Sequence, residues 1–101
     1  MPDMKRDDVI AKLKEQEAAI RALGVAHLHL YGSYARDEAG GDSDVDLFFD
    51  RDFGQKFGLI ELARLQGFLA KILGTEVDIG TRTSLHPMLK PAIESKAMLV
   101  F

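Results

Sequence analysis

Three aspartates and one Gly-Ser pair are the residues whose types and spacing could do chemistry. Gly32-Ser33 is followed, after ten intervening residues, by Asp44-Val45-Asp46-Leu47, and a further acid, Asp78, stands inside the later run Glu76-Val77-Asp78-Ile79-Gly80. A glycine lets backbone approach a phosphate with no Cβ in the way, and Ser33 is suited to open a short helix whose amides face anionic oxygens. Asp44 and Asp46 sit two apart, so on a strand both project from one face and both can bind Mg²⁺, a hard cation that takes a few carboxylates and fills its shell with water and phosphate oxygens. With Asp78 arriving on another strand, three acids and two metal ions suffice for in-line displacement at phosphorus.

The elements that must position these groups are legible as periodicities. Residues 25–31 alternate, with Ala26, Leu28 and Leu30 on one side and His27, His29 and Tyr31 on the other, which predicts a strand with one buried face. A second strand is expected from Asp44 to Phe49, carrying Val45, Leu47 and Phe49 inward and Asp44, Asp46 and Phe48 outward. A third runs from Glu76 to Gly80, with Val77 and Ile79 inward. Apolar groups at Val9, Leu13, Ile20 and Leu23 predict one amphipathic helix over 3–23, stopped by Gly24. Ser33 reads as an N-cap with a short helix over 34–38, then a turn at Gly40-Gly41-Asp42-Ser43. Leu59, Leu62, Leu65, Leu69 and Ile72 predict a long helix over about 55–73, ended by Gly74. A short helix is expected after Ser84 and Pro87. Ala97–Phe101 reads as a last strand, either inner or covered by a partner.

Composition narrows the class. A chain of 101 residues is the size of one core, so a single domain over 1–101 is expected. The net charge is −3 and no block of Lys or Arg forms a nucleic-acid footprint, so direct nucleic-acid binding is not expected. There is no cysteine for a disulfide or a thiolate zinc site, and no apolar run or leader that argues for a membrane or export, which makes the cytoplasm the expected address. The oligomeric state stays open, an oligomer included.

Other chemistries fit the same residues less well. Read as a calcium loop from Asp42, the chain has Leu47 where a glycine is required and Phe53 where a glutamate is required. Strand acids can also simply face water, but carboxylates one strand-repeat apart lie only about 7 Å from each other and repel unless a cation joins them. His27 and His29 could chelate a transition metal, yet only the distant His86 offers a third nitrogen, which favours a structural or partner-facing role. Ser33 is not a hydrolase nucleophile, since Gly-Ser-Tyr is no nucleophile elbow.

The stretch YGSYARDEAGGDSDVDLFF followed by EVDIG resembles the minimal nucleotidyltransferases of the DNA polymerase β superfamily, with element order similar over about residues 25–101. The resemblance implies an α/β (α+β) domain with a palm-like mixed sheet, helices on one face and an open acidic face. It implies that Asp44 and Asp46 bind both Mg²⁺ ions, that Asp78 binds one and assists deprotonation of the acceptor, and that Gly32, Ser33 and Arg36 hold the phosphates. Asp37 stands where the family usually has glycine. Small stand-alone members resemble the antitoxin of pairs whose other half is a HEPN ribonuclease toxin. This implies transfer of AMP from ATP, the nucleoside triphosphate donor, to a hydroxyl of that partner, or neutralisation of the partner by a non-catalytic binding module.

Overall fold

The computed structural model describes residues 4–38 and 44–101. Asp3 and the turn read at residues 40–43, Ser43 included, lie outside them. A four-stranded mixed sheet in the order β3-β2-β1-β4 is built from β1 (Val25–Tyr31), β2 (Val45–Arg51), β3 (Val77–Thr81) and β4 (Met98–Leu99). β1 pairs antiparallel with β2 and β4, while β2 and β3 run parallel. A parallel pair needs a crossover, and helix α4 (Leu59–Leu73) supplies it. Leu65, Leu69 and Leu73 of α4 are buried with Leu28, Leu30, Leu47, Phe49, Val77 and Ile79, so the apolar faces predicted for β2 and β3 do meet the helix layer.

Four local features depart from simple periodicity. The expected N-terminal helix is two, α1 (Arg6–Glu15) and α2 (Glu17–Ala22). Val9, Leu13 and Ile20 are buried as read, but the turn between them offers polar Gln16 and Glu17 to the core side. There the Gln16 N–H bonds the Leu13 carbonyl at 3.1 Å, a closure of three residues instead of four. In β1 the register shifts between Val25 and His27, so Val25 is buried and Ala26 only half-buried, reversing the alternation expected at that end. Helix α4 begins at Leu59, not near residue 55, because the Gln55 amide donates to Asp52 at 2.9 Å and to the Arg21 carbonyl at 3.1 Å and holds the chain out of helix.

The fourth is the start of helix α3 (Gly32–Ala35), which follows β1 without a gap. Its N-cap is the extended Tyr31, not Ser33, and no side chain caps it. Gly32 takes φ +74°, the left-handed turn that bends strand directly into helix. After a 3₁₀ turn (Arg82–Ser84), helix α5 (Lys90–Lys96) carries Pro91 in its first turn, where the missing N–H leaves no bond unmade. β4 lies at the sheet edge beside β1, and Val100 beyond it is buried. Among the described residues no helix is long and apolar enough to cross a membrane.

Candidate active site

Tyr31, Asp46 and Asp78 form a row across three adjacent strands. In the β1–β2 ladder Tyr31 lies opposite Asp46, and in the parallel β2–β3 ladder Asp46 lies opposite Asp78. Two carboxylates placed opposite each other on neighbouring strands are direct cross-strand neighbours, where like charges repel. Burial pushes the Asp46 carboxyl above its usual range, the charges of Asp78 and Asp44 push it further, and Arg36 opposes them. The Tyr31 phenol is pushed up as well, by burial first and then by Asp46 and Asp78.

Gly32 closes this row from the loop side. A Cβ built on it would run into the Asp46 carboxylate, so the bend and the acid fit together only because residue 32 has no side chain. Ser33 is half-buried in α3, and Arg36 follows that helix, exposed, with its Nε donating to Glu38 at 3.0 Å. Asp37 has φ +58°, the same left-handed region a glycine would take. The Asp37 carboxylate accepts from the Arg6 N–H at 3.4 Å. Aspartate tolerates this conformation better than most residues, so the substitution does not redirect the chain.

Asp44 stands just before β2, exposed, and lines a recess with Gln66 and Ala70 of α4, Glu76 and Asp78. Asp78 also borders the recess that holds Asp46. Among the described residues no three Asp, Glu or His side chains converge into a ready-made metal cage. Hard carboxylate oxygens from two strands, left open on one side, are the donor type that Mg²⁺ takes alongside waters and phosphate oxygens. The repulsion stored between Asp46 and Asp78 is what such a cation would relieve.

The other half of this face is not bare. Phe48, placed among the outward residues by its alternation, is 1% exposed. His29 stacks on its ring at 4.6 Å and the Arg82 guanidinium lies 5.0 Å from its centroid. Arg82 grips Asp50 with two bonds of 2.7 and 3.0 Å, donates to Glu94 of α5 at 2.6 Å, and donates to His29 Nε2 at 3.0 Å. Since a guanidinium only donates, His29 Nε2 is an acceptor here, and its 3.3 Å approach to Asp50 is proximity between two acceptors. Burial, followed by the Arg82 charge, keeps the His29 pKa below its ordinary value against the raising effect of Asp50. His29 is thus a structural residue with its Nε2 occupied. The His86 Nδ1 accepts the Met88 N–H at 3.2 Å, so His29 and His86 each have a ring nitrogen engaged within the chain.

Asp50, Arg82 and Glu94 were not picked out by spacing, although Asp50 continues the Asp46–Phe48 side of β2. Arg82→Ala is expected to cost about 2 kcal/mol, because two acids about one-third exposed lose their partner and the Phe48 face loses its cover. Arg82→Lys should recover less than half, since an ammonium cannot make the two-pronged bond. Urea denaturation of the two variants checks this.

Residues 10–100 match the nucleotidyltransferase domain family. A Methanocaldococcus jannaschii protein named as a candidate protein adenylyltransferase is 41% identical over 75 residues, covering 74% of this chain and 78% of that one. A solved structure described as a candidate minimal nucleotidyltransferase superposes with a TM-score of 0.79 at 30% identity, over 94% of this chain and 95% of the other. A chain from the complex of a tri-AMPylated Shewanella oneidensis HEPN toxin with an MNT antitoxin shares the fold. Its TM-score is 0.64 at 17% identity, over 91% of this chain and 71% of that one.

Proposed function

Since this chain belongs to the nucleotidyltransferase domain family, we propose that it transfers AMP from ATP to a hydroxyl of a partner protein, a HEPN-type toxin that it neutralises. The observation that carries this reading is the register pair Asp46–Asp78 beside a left-handed glycine bend whose missing Cβ leaves room for the Asp46 carboxylate. The names of the relatives supply the adenylyl group and the class of partner.

In this reading Asp44, Asp46 and Asp78 hold two Mg²⁺ ions, which when bound supply charge neutralisation at the phosphates. Gly32 and Ser33 present backbone to the phosphates and Arg36 reaches one of them. Asp78 lies at the edge of the sheet, where an acceptor can approach, and takes the acceptor's proton. The acceptor oxygen then bonds to the α-phosphorus, the bond from that phosphorus to the bridging oxygen breaks, and pyrophosphate leaves with the electron pair. Half-burial of Asp46 suits it to this work, because charge interactions strengthen as water is excluded.

The test is incubation of the chain, a HEPN-type protein and ATP labelled at the α-phosphate. Label is expected on the partner with Mg²⁺ present and none after chelation with EDTA. Neutralisation of the toxin without any label would favour the binding-only module.

A further inference from the structure

Helix α5 is used on two sides. Glu94 is fastened to the sheet through Arg82 and Asp50, which fixes the rotation of the helix. Leu89, Ile93 and Lys96 are spaced four and three residues apart, the spacing that places side chains along one face. That face borders two recesses that share Tyr31 and Ile93. The larger, 470 Å³, has Asp46 and Asp78 in its wall opposite apolar Leu85, Leu89 and Ile93. The smaller, 210 Å³, contains Gly32 and sets Arg36 and Lys96, distant in sequence, around one opening.

The two recesses differ in charge along one helix: the larger carries Asp46 and Asp78 opposite apolar groups, and the smaller, otherwise mainly apolar, carries Arg36 and Lys96 beside a glycine bend. A nucleoside triphosphate is long enough to lie across both, its base and sugar against the apolar wall of the larger recess and its anionic tail at the two cations of the smaller. The larger recess lies within the size range of small-ligand pockets, about 300–1,000 Å³. Gly80 keeps its floor low next to Asp78, for a Cβ there would come within 2.7 Å of the Ser84 hydroxyl.

We infer that α5 is the donor-holding strap of the site, with the nucleoside against Leu89 and Ile93, the α-phosphate over Asp46, and the outer phosphates between Arg36 and Lys96. This rests on the reading above that a nucleoside triphosphate is the donor, and it adds Lys96 as a phosphate ligand and α5 as the nucleoside wall. Arg36 shares its Nε with Glu38, so Lys96 is the cation whose removal isolates the effect.

Isothermal titration of the purified chain with ATP and with AMP, in Mg²⁺, separates the parts. Lys96→Ala is expected to weaken ATP at least about tenfold and AMP less than about twofold, because AMP lacks the phosphates that Lys96 meets. Lys96→Arg should stay within about threefold of the native chain for ATP, since the charge is kept. Leu89→Asp, at a side chain already 57% exposed and so safe for folding, should weaken both ligands. Native affinity for ATP in Lys96→Ala, or equal loss of ATP and AMP, would overturn the strap while leaving the proposed reaction standing. A native chain that binds no nucleoside triphosphate at all would remove both.

Discussion

Asp46→Asn is expected to lower AMP transfer by about 10²–10³-fold while leaving the fold as stable as before or slightly more stable. The two effects come from one cause. Asp46 is half-buried opposite Asp78, and burial, Asp78 and Asp44 all disfavour its charge. An amide of nearly the same shape keeps the packing, removes the repulsion and deletes one of the hard oxygen donors that the reaction needs. The gain in stability should not exceed about 1 kcal/mol, because the site is open to water and salt on one side. Active sites commonly hold such costs, and removing the functional group releases them.

The pH dependence has a definite sign. A group whose folded pKa is raised contributes stability in full below its ordinary value, here 3.8, and that contribution disappears as pH rises through the raised value. The native chain should therefore lose stability relative to Asp46→Asn as pH increases across that acidic window, and the difference should be constant above it. Thermal melts of both proteins from acidic to neutral pH, alongside the labelling assay, check the pair of expectations. Full transfer activity in Asp46→Asn would end the assignment of this residue to the reaction.

Gly32→Ala is expected to cost about 2–3 kcal/mol and to reduce transfer by about a hundredfold. The penalty has two parts. A side chain at φ +74° is strained by about 1–2 kcal/mol whatever surrounds it. The added Cβ must then displace the Asp46 carboxylate, which it would otherwise overlap, and a misplacement of that size at a reacting centre is felt in rate more than in stability. Gly74 provides the control. It has φ +68° at the end of α4, but a Cβ there meets nothing within 4 Å. Gly74→Ala should thus carry only the backbone part, about 1 kcal/mol, and keep full transfer activity. Chemical denaturation and transfer rates of the two variants separate backbone strain from collision. Equal rates in both would show that the contact with Asp46 is irrelevant.

Local periodicity determined much of this protein. Alternation at Leu28–Leu30, Val45–Phe49 and Val77–Ile79 marked three strands and their buried faces, and the leucine stripe ending at Gly74 marked α4, because burial on one side of a strand or helix leaves a repeat of two or of three to four residues. The glycine, serine and three aspartates were also visible, since their spacing is a property of the chain itself. What periodicity encodes is the face a residue belongs to. It does not encode which residue of another strand lies beside it.

That second kind of information came only with the tertiary structure. The crossover through α4 set β3 parallel to β2 in the register that brings Asp78 next to Asp46, and a slip of one residue would have turned Asp78 to the other face. The left-handed turn at Gly32 placed backbone against Asp46, bringing the first residue of α3 to the start of β2. Phe48 looked outward by its alternation and is buried where His29, 19 residues before it, and Arg82, 34 residues after it, gather over its ring, with Arg82 held in turn by Glu94 of α5. Lys96 is one of the exposed lysines by sequence and becomes a neighbour of Gly32 and Arg36 only through the fastening of α5. Each of these depends on long-range pairing, whose energy is shared among distant segments and leaves no repeat in any one of them.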